Sequence, residues 1–138
     1  PANMIFWCMA SKPVTEWLQN SGLEFDQNGR IVVDDTLRTT TDPHIFAVGD
    51  INNVKCEKQA YIAISQAELT AKNIAVLINS PSSTLSAYHP PSANFAGIVS
   101  LGKKKAAVVA NGKIVSWGRV AAFMKRYTIK NAMSRFNS

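Results

Sequence analysis

The second half of this 138-residue sequence lacks acidic residues altogether. All nine Asp and Glu residues lie before position 69, together with five Lys and Arg residues, whereas residues 69–138 contain ten basic residues. A segment with this charge implies an anionic partner: an anionic lipid, a nucleic acid, a phosphorylated ligand or an acidic protein. The charge also leaves open that an acidic part of the same protein balances it.

Three other absences exclude kinds of site. The seven glycines include no Gly-x-Gly pair, so the sequence contains no dinucleotide-binding loop. The two cysteines, Cys8 and Cys56, lie far apart without clustered histidines, so we expect neither a CxxC redox pair nor a metal site. The longest apolar runs, such as residues 74–78, are far shorter than the roughly 18 residues that a membrane-spanning helix needs.

What is present predicts a folded chain. A hydrophobic fraction of 46% and a charged fraction of 17% exclude disorder, collagen and coiled coil, and the length suffices for one domain with a core. The chain begins at Pro1 with no basic region before its first apolar stretch. We therefore expect no signal peptide, and a chain that was processed or cut from a longer one.

The pattern of the first half predicts part of an α/β protein. The apolar run at residues 4–9 is typical of a strand buried on both faces of a sheet, and residues 44–50 (HIFAVGD) predict a second such strand that runs into a Gly-Asp turn. Between them, the Asn-Gly pair at residues 28–29 predicts a small hairpin over residues 23–34.

A helix over residues 59–78 is the clearest element of the sequence. Six apolar residues recur at spacings of three and four, which places them on one stripe. They are Ala60, Ile64, Ala67, Ala71, Ile74 and Ile78. Because half of them are alanine, we expect this stripe to approach a sheet or a flat ligand closely.

The Ser- and Pro-rich residues 80–92 form the expected boundary, and three short strand-like runs after it predict an antiparallel meander. The turn at residues 97–104 resembles a phosphate-binding loop, but Lys104 replaces the required hydroxyl, so we expect a basic hairpin instead. A helix is predicted over residues 119–136, with one apolar side on the small sheet. The opposite side is directed to a membrane surface or a second subunit, or it covers other domains of the same protein. The first side comprises Val120, Phe123, Met124 and Tyr127, and the second Ile129, Met133 and Phe136.

Gly49 and Asp50, at the end of the second predicted strand, are the main candidate site. A strand that ends in Gly-Asp presents a carboxylate at the edge where α/β proteins bind ligands, and Asp50 could accept hydrogen bonds from two adjacent hydroxyls. Periodicity alone leaves open whether Asp50 contacts a ligand or only terminates a turn.

The stretch LRTTTDPHIFAVGD resembles the second flavin-binding motif of the two-dinucleotide-binding-domain flavoproteins. The matching residues are Thr41, Ile45, Phe46, Ala47, Gly49 and Asp50. The resemblance implies that Asp50 binds the ribitol of FAD, and that the next helix directs its amino-terminal N–H groups at the flavin. The cofactor-binding residues that it implies are Gly49, Asp50, Lys58, Gln59, Ala60 and Tyr61.

Within the pyridine nucleotide-disulfide oxidoreductase superfamily, the long helix and the Tyr-x-Pro segment at Tyr88 are similar to apoptosis-inducing-factor-like, ferroptosis-suppressor type NAD(P)H:quinone oxidoreductases. Type II NADH dehydrogenases are close cousins, but they usually have Ala-Gln where this chain has Ala60-Tyr61. The turn at residues 8–10 lacks the glycine that these families have after the last strand of the NAD domain.

The resemblance implies an α/β fold: the end of an FAD-binding Rossmann-like domain, followed by a small antiparallel sheet and a carboxyl-terminal helix. The expected divisions are residues 1–79 for the FAD/NAD(P)-binding region, residues 80–92 for a connector and residues 93–138 for a small α+β domain. The Gly-rich loops would lie upstream, so we expect the chain alone to be inactive.

The implied activity is an FAD-dependent NAD(P)H oxidoreductase that passes electrons to a quinone or another small acceptor. No catalytic side chain is assigned. The expected location is cytoplasmic or mitochondrial, with a peripheral membrane surface and a homodimer as candidate associations and nucleic acid as the less favoured partner. The alternatives are a ferredoxin or disulfide reductase of the same superfamily, and a basic module that binds a membrane or nucleic acid without turnover.

Overall fold

The computed structural model describes residues 3–4, 12–91 and 96–134. These fall into two compact units that divide between Pro90 and Pro91. The strand predicted at residues 4–9 and the turn at residues 8–10 lie almost wholly outside the described residues.

The first unit begins with loops held by short-range hydrogen bonds. A single 3-10 turn, Glu16–Leu18, precedes a tight hairpin in which Phe25 pairs with Ile31. The Asp26 carboxylate closes this hairpin by accepting hydrogen bonds from the backbone N–H groups of Asn28 and Arg30 at 2.8 and 2.9 Å. The predicted Asn-Gly turn is therefore confirmed.

The prediction of a second buried strand at residues 44–50 is wrong, because the structure has no regular strand there. Phe46 forms one isolated antiparallel bridge with Arg38, and Ile45 is 40% exposed. Among the described residues, only the segment at 37–39 pairs with this stretch, and a strand buried on both faces requires layers on both sides. The Gly-Asp turn that was expected after it is present as a 3-10 turn, Gly49–Ile51.

The long helix is confirmed as α1, Ala60–Asn79. Its buried residues are Ile62, Gln66, Thr70 and Asn73, so the face that packs within this unit is largely polar. The apolar stripe predicted from periodicity is a different one, and its residues are exposed apart from the half-buried Ile64.

The second unit is an antiparallel meander followed by a helix, as predicted. The strands β1 (Ala96–Ser100), β2 (Ala106–Ala110) and β3 (Lys113–Gly118) pair in the order β1-β2-β3, and β1 and β2 form the expected basic hairpin. A register shift between Val108 and Val109 interrupts the β2–β3 ladder. The helix α2, Arg119–Ser134, packs mainly on β2 and β3.

The prediction of which side of α2 covers the sheet is wrong. Val120, Phe123 and Tyr127 are each at least 66% exposed, whereas Ala121 is fully buried. Two adjacent alanines of β2, Ala106 and Ala107, are buried, and because successive side chains of a strand point to opposite faces, only one of them faces α2. Small residues on both surfaces allow a close approach of helix and sheet, and the larger apolar side chains then project away from the contact. Phe136, assigned to the opposite side, lies outside the described residues.

Candidate functional site

The turn Gly49–Ile51 packs against the beginning of α1. Gly49 is buried and has a φ of +77°, a conformation that L side chains rarely adopt. A Cβ added at Gly49 would lie 3.3 Å from the Cβ of Ala63. Glycine is therefore required here for its backbone conformation, and it also permits the close contact with the helix.

Gln66 of α1 holds this turn through a fully buried side chain. Its Oε1 accepts hydrogen bonds from the backbone N–H of Gly49 at 2.7 Å and from Nδ2 of Asn52 at 2.8 Å. Asn52 Nδ2 also donates to the Ala47 carbonyl at 3.0 Å, so one amide joins both ends of the turn. We call Gly49, Asn52 and Gln66 the Gln66 cluster; its two amide side chains were missed by the sequence analysis.

The hydrogen bonds of the Gln66 cluster fix the orientation of both amide groups. The N–H of Gly49 needs an acceptor, which places Oε1 of Gln66 toward the turn. Oδ1 of Asn52 accepts from the backbone N–H of Val54 at 3.2 Å, which leaves Nδ2 for the other two bonds. Gln66 Nε2 has no partner among the described residues although it is buried.

Lys58 binds the same loop. Its Nζ donates to the Asn52 carbonyl at 2.9 Å, to Asn52 Oδ1 at 3.2 Å and to the Val54 carbonyl at 3.1 Å. These three bonds use all three donors of the ammonium group. Desolvation by burial lowers the pKa of Lys58 below its ordinary value.

Asp50 is exposed, and within the described part of the chain its carboxylate makes no hydrogen bond. Its carbonyl oxygen instead accepts a hydrogen bond from Nη1 of Arg30, which ties the hairpin to the turn. The structure thus fixes the backbone at Asp50 and leaves the two carboxylate oxygens available to a ligand.

The first turn of α1 lies beside Gly49. Gln59 is the N-cap residue, and its carbonyl accepts the N–H groups of Ile62 and Ala63 at 3.0 and 3.1 Å. The N–H groups of Ala60 and Tyr61 have no acceptor in the ranges that the structure describes. The first turn contains no acidic residue, so it offers N–H donors at the positive end of a 20-residue helix dipole.

The Tyr-x-Pro segment is fastened along α1. Asn73 forms two hydrogen bonds with the backbone of Ser86, at 2.9 and 3.0 Å, and the hydroxyl of Tyr88 lies 3.3 Å from Ser65 Oγ. The structure therefore brings together Gly49, Asp50 and the helix start, with the Tyr88 segment further along the helix.

The arrangement offers hydrogen-bonding groups. Over the described ranges there is no group of three or more His, Cys, Asp and Glu residues placed to hold a metal ion. An exposed carboxylate on a turn that packs against α1, whose first N–H groups have no acceptor among the described residues, can bind a molecule that has hydroxyl groups at one position and an anionic or electron-rich edge at another.

The family profile for pyridine nucleotide-disulphide oxidoreductases matches residues 1–76, a stretch that includes the turn and most of α1. The chain belongs to this family. Its α/β Rossmann-like fold agrees with the fold class predicted from the sequence.

Curated relatives match over about half of the chain. A type II NADH:quinone oxidoreductase of Haemophilus influenzae is 37% identical over 82 residues, which are 55% of this chain and 18% of that protein. An alternative NAD(P)H-ubiquinone oxidoreductase C1 of Arabidopsis thaliana, chloroplastic/mitochondrial, is 31% identical over 87 residues, 56% of this chain and 17% of the relative. An FAD-dependent oxidoreductase of Flammulina velutipes is 36% identical over 73 residues, 53% and 23% respectively. The chain spans about a fifth of the length of these relatives.

Family membership supports an oxidoreductase of flavoprotein type.

Neither α1 nor α2, the two α-helices of the described residues, is long and apolar enough to cross a membrane.

Proposed function

We propose that the chain is the carboxyl-terminal portion of an FAD-dependent NAD(P)H oxidoreductase that delivers electrons to a quinone. The family match supports the reaction class, and the names of two relatives support the quinone. The single structural observation in favour is the Gly49–Asp50 turn, which Gln66 holds beside the start of α1 while the Asp50 carboxylate makes no hydrogen bond within the described ranges. FAD, when bound, supplies the redox chemistry, taking a hydride from the nicotinamide and releasing electrons to the acceptor.

The residues at the turn fit a flavin. Asp50 offers two acceptor oxygens to the ribitol hydroxyls, and Gly49 has no side chain to obstruct a close approach. The N–H groups of Ala60 and Tyr61, at the positive end of α1, would stabilise negative charge on the reduced ring. Gln59 would contribute as the residue that shapes this helix start.

Lys58 acts in this proposal as a positioning residue. Its ammonium group is directed to Asn52 and Val54, and Asn52 in turn binds Gln66 and the carbonyl of Ala47. Lys58 therefore supports the turn from the side of the loop and adds a positive charge to the region that would receive the flavin.

The proposal is tested by replacing Asp50 with alanine in the full-length protein and measuring FAD affinity. We expect a loss of about 1–3 kcal/mol, the effect of removing hydrogen bonds to a charged group. Asp35→Ala is the matched control, because Asp35 is an exposed carboxylate of the same unit that lies outside the turn. Equal FAD affinity in the Asp50 and Asp35 variants would contradict the proposed role.

A second candidate function is a basic module that binds a membrane surface without turnover. It is favoured by α2, where exposed Ile129 and Met133 lie on a helix rich in Lys and Arg. Flavin that remains bound through purification of the full-length protein, with NAD(P)H-dependent quinone reduction, would support the enzyme. For the enzyme we also propose a cytoplasmic or mitochondrial location, peripheral attachment to a membrane, and a homodimer.

A further inference from the structure

The second unit contains a cavity that the flavin proposal does not use. It has a volume of about 290 Å³ and lies between the β1–β2 loop and α2. Its lining residues are Lys104, Arg119, Ala122, Phe123 and Arg126. Three of the five are cations, and the whole cavity is formed by one compact unit.

Helix geometry accounts for this concentration of charge. Arg119, Phe123 and Arg126 are spaced by four and three residues along α2, so they share one face of the helix. Lys104 comes from the loop that joins β1 and β2. The guanidinium of Arg126 reaches this loop, where Nη2 donates to the Lys103 carbonyl at 2.9 Å. That bond fixes the head of Arg126 beside Lys104.

The cavity has no negative charge to balance it within its own unit. Residues 69–138 contain no Asp or Glu, and both ion pairs among the described residues lie in the stretch 34–44. Like charges brought together on a folded surface repel one another, and a bound anion relieves that repulsion.

We propose that this cavity binds a phosphomonoester, either as the headgroup of a lipid or as a soluble phosphate ester. A guanidinium presents paired N–H donors that match the oxygens of a phosphate, and among the residues that the structure describes Arg126 uses one of its five donors. A phosphomonoester has a charge of about −1.5 to −2 at pH 7, which suits three cations better than a single carboxylate does. Phe123, 70% exposed at the cavity, adds an apolar surface for the organic part of the ester.

Two probes distinguish the sources. Glycerol 3-phosphate represents the soluble ester, and phosphatidylcholine vesicles that contain phosphatidic acid represent the lipid. The test variant is Arg119→Gln with Arg126→Gln. The matched control is Lys113→Gln with Lys130→Gln, which removes the same charge from exposed positions of the same unit outside the cavity.

We expect the cavity variant of the complete chain to bind at least one probe about tenfold more weakly than the wild type, and the control variant to remain close to the wild type. If the cavity variant binds glycerol 3-phosphate more weakly, the ligand is a soluble ester. If only its binding to the vesicles is weakened, the ligand is a lipid. Equal losses in the two double variants would indicate diffuse attraction and overturn the proposal. No binding of either probe, or tighter binding of a single-stranded oligonucleotide, would also overturn it.

A measurement on the unaltered chain covers the case in which the cavity variant fails to fold. Phenylglyoxal modifies accessible arginines, and each modified site can be located by mass spectrometry. The bound probe should slow the modification of Arg119 and Arg126 but leave that of Arg30 and Arg38, in the first unit, unchanged. If the probe left the modification rate unchanged at each of the four arginines, the assignment would be refuted.

Discussion

Replacing Gln66 with leucine tests whether the buried amide holds the Gly49 turn. The change keeps a side chain of similar size in α1 but removes the acceptor of two hydrogen bonds, at 2.7 and 2.8 Å. The Gly49 N–H loses its only partner among the described residues, whereas Asn52 Nδ2 keeps its bond to Ala47. The first loss is therefore the larger one.

The expected magnitude follows from these partners. A buried donor left without an acceptor costs about 1–3 kcal/mol, and the lost bond to Asn52 adds about 1 kcal/mol. The substitution also removes Gln66 Nε2, which is buried with no partner in the described part of the chain, and this offsets part of the loss. We expect a net decrease of about 1–3 kcal/mol in the free energy of unfolding, against a total of about 5–15 kcal/mol for a domain.

Urea denaturation of the chain measures this decrease, with Gln59→Leu as the control. Gln59 has the same side chain, but its amide donates to Glu57 at the surface and leaves no buried donor unpaired. Hydrogen exchange gives a second reading, because the Gly49 amide should exchange faster in the Gln66 variant. If Gln66→Leu were no more destabilising than Gln59→Leu, and the Gly49 amide stayed protected, the reasoning would be wrong.

Three further predictions concern charge, activity and α2. Burial lowers the pKa of Lys58 in the folded chain, so between that pKa and 10.5 the unfolded chain binds more protons, and the free energy of unfolding should rise with pH. Denaturation measured as a function of pH should show this rise in the wild type and not in Lys58→Met. The 138-residue chain alone should oxidise NAD(P)H no faster than free flavin, and stoichiometric FAD retention with turnover would refute this. Ile129→Ser with Met133→Ser should weaken sedimentation of the full-length protein with anionic vesicles; unchanged, salt-sensitive binding would exclude these side chains as the attachment.

Periodicity and turn residues predicted most of the secondary structure. The three strands of the meander are separated by glycine-containing turns, and both α-helices lie within long stretches that contain no Gly or Pro. The strand predicted at residues 44–50 is wrong because a run of apolar residues shows that a segment can be buried, but it does not show which strands pair with it.

The face of α1 that packs could not be predicted from hydrophobicity. Gln66 and Asn73 are buried because each satisfies backbone groups of a neighbouring segment, and such bonds leave no apolar pattern. Gly49 and Asp50 were predicted from the Gly-Asp end of an apolar run and from its resemblance to a family motif, whereas Asn52 and Gln66 belong to no short motif. The only trace of Gln66 in the sequence is its helical spacing with Ile62 and Asn73, and Asn52 leaves none.

The contact between Gly49 and Ala63 makes two distant positions depend on each other. A Cβ at Gly49 would lie 3.3 Å from the Cβ of Ala63, tighter than an ordinary contact, so a side chain at position 49 would require the helix or the turn to shift. Gln66, about one turn further along α1, accepts the Gly49 N–H at 2.7 Å, so the same shift would also disturb this hydrogen bond. A Gly-Asp turn followed, at these spacings, by Asn, a small residue and Gln can therefore be sought in other sequences as one unit.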